Sequence, residues 1–338
     1  MNNTNDIQSE QSLSDNYSRW KDRLTKTLLA IFFYAGNLLL NALLVSIIHE
    51  RVPLDMFPLP DISFDFLPYW PMGLFITECY IFILYGMVLL LLLLHRSGHR
   101  IAQRFCIIMG IIYFFRAITI SVTQLPVSAN RLECMPQMEN NVTSTQFINT
   151  IIKRTLNYIP TLGTYILTTE PYCGALLYSG HTISIVIGYS FISTYLIPAE
   201  VKANSLSWWL YDFILYWLSI IAVLLTLIAR ANYLVDVIFA YYISTSTFYI
   251  YHTICSHESL HYATSGNFFT KLWWWPLFTF FEVDNQDRIV VVNRFYNPIN
   301  VLWSWRTENM NRTMINNVNS KSDTCNQSNV NHLLRTIK

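Results

Sequence analysis

Six blocks of roughly 20 apolar residues, each long enough for a helix to cross a bilayer's hydrocarbon core, constrain this chain more than any other feature. They run Leu24–Ile48, Gly73–Leu94, Arg104–Val122, Thr182–Ala199, Trp208–Ile228 and Tyr233–Ile254. Apolar residues make up 53% of the 338 positions and charged ones 13%, about half the charge of a soluble domain. The expected fold is an all-α polytopic membrane protein with six transmembrane helices. Residues 149–168 are apolar in places but carry Lys153, Arg154, Pro160 and two asparagines, which reads as a loop or surface helix.

Orientation follows from the basic residues. Arg19, Lys21, Arg23, Lys26, Arg96, Arg100, Arg104, Lys202 and the eight from Lys271 to Lys338 gather on one side, sixteen against five on the other. Both termini are therefore expected in the cytosol. The first twenty residues are polar, so the first apolar helix is expected to be the insertion signal. The organisation read this way is a polar N-tail (1–23), a membrane domain (24–254) with a long lumenal loop (124–180), a cytosolic juxtamembrane segment (255–306) and a disordered Asn/Ser-rich tail (307–338). Asn141-Val142-Thr143 is a glycosylation triplet in the lumenal loop. Cys134 and Cys173 share that loop, either as a disulfide or as two thiols. A net charge of +1 without a basic patch gives nucleic-acid binding no support.

Polar groups inside a membrane are costly, so each is a functional candidate. Asp61, Asp65, Glu78, Arg116, Thr119, Ser179-Gly180-His181, Asn232 and Asp236 all fall at the lumenal ends of spans. Ser179 and Gly180 begin a helix, where unpaired N–H groups favour a phosphate. Arg116 supplies a permanent cation for a phosphodiester oxygen. Asp236 lies one turn beyond position 232, and a carboxylate there suits the orientation of an imidazole such as His181. Together these groups point to phospholipid headgroup chemistry. The competing structural readings are a snorkelling Arg116, an interfacial His181 and an Asn232 that caps the last span.

These residues also form a pattern. Pro58–Asp61 (PLPD), Arg116–Pro126 (RAITISVTQLP), Cys134-Met135-Pro136 and Cys173–Thr182 (CGALLYSGHT) are followed by Asn232–Tyr242 (NYLVDVIFAYY), Tyr251-His252-Thr253 and Trp273–Pro276 ahead of Phe281-Glu282. In this order they resemble the sphingomyelin synthases and their ceramide phosphoethanolamine synthase relatives, over about residues 24–300. The resemblance implies a lipid phosphate phosphatase-like core that moves phosphocholine or phosphoethanolamine from phosphatidylcholine or phosphatidylethanolamine to ceramide, releasing diacylglycerol. It implies no cofactor, and a Golgi or plasma-membrane location with the site facing the lumen or exterior. His181 matches the family's SGHT histidine and Asp236 its later aspartate. Asn232 stands where the family has a second histidine, and Ala175 replaces an aspartate. A phosphohistidine at position 232 is chemically impossible. What remains open is His181 as base for direct attack, His181 as nucleophile oriented by Asp236, or an inactive member that binds ceramide and phospholipid.

His257-Glu258-Ser259-Leu260-His261 fits H-E-x-x-H, a zinc peptidase pattern with Glu282 as a conceivable third ligand. It follows the last span on the cytosolic side, away from the other groups, and no metal is expected. A transporter would distribute its polar groups near the membrane midplane, which this chain does not.

Overall fold

The structure is a computed structural model that describes residues 2–53, 56–128, 134–138, 143–161, 164, 166–167, 172–174, 176–196, 206–262, 264 and 266–283. Asn141 and the 307–338 tail lie outside the described residues. The chain divides into a unit of Met1–Leu93 with Ser97–Asn293, which holds everything below, and a second of Leu94–Arg96 with Arg294–Lys338. The described elements are helices, with no strand among the described residues. They are α1 (Asn2–His49), α2 (Ile62–Phe66), α3 (Met72–Leu94), α4 (Gly98–Val122), α5 (Ser144–Thr161), α6 (Gly180–Tyr195), α7 (Leu206–Ile228), α8 (Leu234–Ser256) and the short α9 (Trp275–Phe278).

Four helical stretches are long and apolar enough to cross a membrane: Lys21–His49 of α1, α3, α4 and α7. Their outer faces show bare apolar side chains, Phe32 at 77% and Leu93 at 70% exposure, while Thr77 and Glu78 are wholly enclosed. That inversion suits a lipid solvent. The other two expected spans differ in kind. Helix α6 has 16 residues, most of them buried, and α8 turns Asp236, Ser244 and Thr247 inward. Helix α1 begins at Asn2, so the polar N-tail is the first part of the same helix.

Hydrogen bonds at the helix ends show that successive helices reverse direction. At one end Trp70 N–H donates to Ile228 O (3.0 Å), joining the start of α3 to the end of α7. The Ser128 hydroxyl donates to Arg230 O (2.6 Å), and Leu177 N–H to Asp236 Oδ1 (2.7 Å). At the other end Ser193 bonds Asp212 (2.6 Å) and Tyr195 bonds His252 (2.8 Å).

Within the 149–168 stretch, the residues up to Thr161 belong to a helix docked on the bundle. Helix α5 lies antiparallel along the last turns of α1, with Arg154 paired to Glu50 and the Thr155 hydroxyl on Ser46 (3.3 Å). Beyond it Ile166 N–H reaches Glu78 Oε2 at 2.9 Å, inside the bundle. Cys134 and Cys173 are joined as a disulfide, with Cα atoms 5.8 Å apart. Beside it His49 Nδ1 accepts Cys173 N–H (3.1 Å) while Nε2 donates to Met135 O (2.9 Å).

The aromatic run Trp273–Phe281, whose composition suggests an interfacial anchor, instead folds into the bundle. Trp274, Phe278 and Phe281 are buried, and Trp273 packs on Phe114 and Phe115. Glu282 holds this segment through a two-pronged ion pair with Arg104, Nε–Oε1 2.7 Å and Nη2–Oε2 2.9 Å. Burial alone would raise the Glu282 carboxyl, but the Arg104 guanidinium offsets this and holds it below its ordinary value. A carboxylate depressed in the fold stabilises it above the unfolded pKa, and that contribution is lost as pH falls through the folded value.

Removing one member of a buried pair strands the other charge, at about 3–5 kcal/mol. Arg104→Met is therefore expected to lower the thermal midpoint sharply at pH 7. The Arg104→Met/Glu282→Leu double variant should recover most of the loss, and the single variant's penalty should shrink in acid. Additive losses across the cycle at pH 7 would contradict the pairing.

Candidate active site

The start of α6 is built by its own sequence. Ser179 is the N-cap, its Oγ accepting Thr182 N–H (3.2 Å) and the Thr182 hydroxyl (3.0 Å). The approach to it is tightly turned. Gly174 has φ +103°, and a Cβ there would sit 2.2 Å from Val52 Cγ2, so only glycine fits. Leu177 adopts φ 80°, a left-handed conformation that costs a non-glycine residue about 1–3 kcal/mol. What holds it is its N–H, which donates to Asp236 Oδ1 at 2.7 Å.

Asp236 is fully buried, and its second oxygen accepts Tyr233 N–H (2.9 Å) as the capping box of α8. Both oxygens thus bond backbone amides, tying α8 to the approach of α6. The expectation that Asp236 orients His181 is corrected accordingly: His181 Nε2 meets Glu78 Oε1 at 3.1 Å instead. Glu78 reaches the imidazole from α3, and its other oxygen takes Ile166 N–H (2.9 Å). As a wholly enclosed carboxylate it was legible in the sequence as a group in need of a partner. Its role was not, because the partner is 103 positions away.

Arg116 does not snorkel. Its Nε donates to Tyr178 O (3.0 Å) and Nη1 to Asn41 Oδ1 (2.9 Å), in a residue only 7% exposed. These acceptors are neutral, so no described residue neutralises the cation by an ion pair. A Cβ on Gly180 would lie 3.9 Å from Nη2, which places this amino group at the mouth of α6. Asn41, buried in α1 and bonded through its amide to Asn37 O and Tyr113 O (both 2.8 Å), is a second residue that sequence reasoning missed. An asparagine inside an apolar span was the available signal.

Asn232 is 6% exposed at the turn before α8. It does not cap the helix, since Tyr233 is the N-cap. Its carboxamide makes no hydrogen bond to a described residue. Beside it Asp61 Oδ2 accepts Leu234 N–H (2.7 Å). Partial burial would raise the Asp61 carboxyl, yet the Ser63 hydroxyl and the Leu234 and Ser63 amides hold it below its ordinary value. A largely apolar cleft of about 390 Å³ opens there between Leu59–Ile62, Leu125, Leu177 and the Tyr233–Ile238 face of α8.

The H-E-x-x-H residues do not converge. Glu258–His261 is a 3₁₀ turn, so positions four apart do not share a face. His261 Nε2 donates to Ile254 O (2.9 Å), and Glu282 is held by Arg104. Among the described residues, no cluster of three His, Cys, Asp or Glu could hold a metal ion.

Residues 172–253, which carry this site from Tyr172 onward, match the family model described as PAP2 superfamily C-terminal. The chain is 32% identical over 266 residues to phosphatidylcholine:ceramide cholinephosphotransferase 2 of Homo sapiens, covering 78% of this chain and 69% of that one. It is 34% identical over 273 residues to phosphatidylcholine:ceramide cholinephosphotransferase 1 of Rattus norvegicus, covering 80% of this chain and 61% of that one. At 32% identity to the human protein over more than two thirds of both chains, the chain belongs to the phosphatidylcholine:ceramide cholinephosphotransferase family, the sphingomyelin synthases.

Proposed function

We propose that this chain transfers phosphocholine from phosphatidylcholine to the primary hydroxyl of ceramide, releasing diacylglycerol, by one direct displacement. The observation that carries this is the His181–Glu78 pair at 3.1 Å beside Arg116 at the start of α6. With Glu78 taking the Nε2 hydrogen, Nδ1 is the basic nitrogen and Glu78 steadies the imidazolium that forms. The ceramide O–H breaks with its proton passing to Nδ1. The ceramide oxygen bonds phosphorus as the bond to the diacylglycerol oxygen breaks; interfacial water protonates that oxygen, and the hydroxide left takes the proton back from Nδ1. Arg116 and the first N–H groups of α6 stabilise the charge on the phosphoryl oxygens. Asp236 positions the two helices and takes no part in proton transfer.

The reading includes six spans with both termini cytosolic, and a lumen-facing site in Golgi or plasma membrane. The reversing helices, the excess of Lys and Arg at the opposite end and the Cys134–Cys173 bridge beside His49 support it. Asn232 favours a second reading, a lipid-binding member without turnover, because a carboxamide has no basic nitrogen to take the phosphoryl group.

Fluorescent ceramide in phosphatidylcholine proteoliposomes separates the two. Wild type is expected to form product, and His181→Ala to lose it by about 10²–10⁴-fold. With a phosphorothioate donor of known chirality, wild type should invert phosphorus and Asn232→His should shift toward retention through two displacements. A silent wild type whose Asn232→His variant is active would instead establish the lipid-binding reading. Asp236→Ala is expected to lower the thermal midpoint, through two stranded backbone amides, where His181→Ala leaves it in place.

A further inference from the structure

The cleft of about 390 Å³ beside the start of α8 falls within the size range of small-molecule sites, about 300–1,000 Å³. Its walls are mostly apolar, among them Pro60, Leu125, Leu177, Val235 and Ile238. Val235 and Ile238 are also exposed, and along α8 they run on into Phe239 and Tyr242, which are exposed as well. The cleft is therefore continuous with a bare apolar face of a helix at the membrane. Its other wall leads toward the chemistry. Leu177, whose N–H is held by Asp236 Oδ1 (2.7 Å), lies four residues before His181 and forms part of the approach to α6. A molecule in the cleft thus lies between the exposed side of α8 and the start of α6.

Asp61 and Tyr233 are the polar residues of the lining. Tyr233 is committed already: its hydroxyl accepts Leu59 N–H (3.0 Å) and donates to Pro126 O (3.2 Å). Asp61 is not. Its Oδ1 accepts the Ser63 N–H (2.8 Å) and hydroxyl (2.6 Å), and its Oδ2 accepts Leu234 N–H (2.7 Å). An ionised carboxylate offers about four acceptor positions and no donor, so Oδ2 keeps one in hand. Against partial burial, those same donors hold the Asp61 carboxyl below its ordinary value, and no described residue forms an ion pair with it. An apolar slot with an acceptor-only group on its wall suits a hydrocarbon chain that carries a hydrogen-bond donor at its head.

We propose that Asp61 and this cleft form the subsite for ceramide: a hydrocarbon chain lies in the cleft, and Asp61 Oδ2 accepts a hydrogen bond from the amide N–H or the secondary hydroxyl at the head of the chains. The inference rests on the transfer reading above and names the residues that select the lipid receiving the headgroup. Phosphatidylcholine does not fit the same place. Its chains begin at esters, which only accept hydrogen bonds, and its phosphate is negative, so an ionised carboxylate rejects it on both counts. Ceramide brings two donors on neighbouring carbons, with the primary hydroxyl one carbon further on. Anchoring those donors at Asp61 keeps the reacting hydroxyl at the head of the lipid, beside the approach to α6.

The test compares ceramide with 1,2-diacylglycerol, which also has a primary hydroxyl and two chains but neither an N–H nor a second hydroxyl. Fluorescent forms of both are offered to the protein in phosphatidylglycerol nanodiscs, alone for binding and with phosphatidylcholine for transfer. Wild type is expected to favour ceramide. Asp61→Asn keeps an oxygen for Ser63 but turns the other acceptor into a donor. It should cut the ceramide-to-diacylglycerol ratio about tenfold or more, through Kd in binding and KM in transfer, the scale of one hydrogen bond to a charged group. Leu125→Trp, which fills the cleft and leaves the bonds of Asp61 in place, should weaken both lipids and spare the binding of hexadecylphosphocholine. No ceramide preference in wild type, a preference that survives Asp61→Asn, or unchanged binding in Leu125→Trp would overturn the subsite. So would an Asp61→Asn variant that loses hexadecylphosphocholine in place of ceramide, which would assign the carboxylate to the choline cation. A ceramide preference in binding that Asp61→Asn removes upholds the subsite even if wild type transfers nothing, which would sink only the transferase reading.

Discussion

Holding an arginine at 7% exposure inside an apolar bundle, with its hydrogen bonds made to neutral acceptors, costs several kcal/mol per ion, and Arg116 is held in this way by Tyr178 O and Asn41 Oδ1. Much of the surrounding structure follows from meeting that cost. Asn41 must itself be placed, which it is by accepting Arg116 while its amide spans Asn37 O and Tyr113 O. Tyr178 must present its carbonyl, which requires the left-handed Leu177 before it, and Leu177 is held there by Asp236. A cation fixed by neutral groups keeps its full charge for an incoming anion, which a salt-bridged arginine would not.

The two buried carboxylates divide the work by what they bond. Asp236 has both oxygens on backbone amides from two elements, Leu177 and Tyr233, and so sets the distance between α8 and the start of α6. Glu78 gives one oxygen to an amide and the other to an imidazole, His181, and so sets the orientation of a titratable group. Spacing along the chain suggested instead that Asp236, one turn from position 232, orients an imidazole. With asparagine at 232, the hydrogen bonds of Asp236 to described residues are the two to backbone amides. The site then has one histidine and one carboxylate that faces it.

Helices that meet lipid were legible because their composition is their environment: α3 and α7 expose long aliphatic rows, and any apolar run of that length announces itself. The residues of the site were legible too, since His181, Arg116 and Asp236 are expensive where they lie. Contacts were not. Helix α5 was left between loop and surface helix because its apolar residues are split between two faces, Ile151 toward α1 and Ile148, Ile152 and Leu156 outward, with Lys153 and Arg154 between them. The Trp273–Phe281 run looked interfacial because tryptophans usually are, and only the Arg104–Glu282 pair, 178 positions apart, shows why it turns inward.

The replacement of one histidine by Asn232 has a consequence for the order of events. A two-step transfer can release diacylglycerol before ceramide arrives, since the headgroup waits on the protein. A one-step displacement cannot: both lipids must occupy the site together, with entering and leaving oxygens on opposite sides of phosphorus. That requirement makes fixed points for the donor more important, because no covalent bond holds it while the acceptor aligns. Arg116 and the start of α6 provide one such point for the phosphate. On the one-step reading, non-covalent positioning by Arg116 and the start of α6 has to do what a phosphohistidine would do in a two-step transfer.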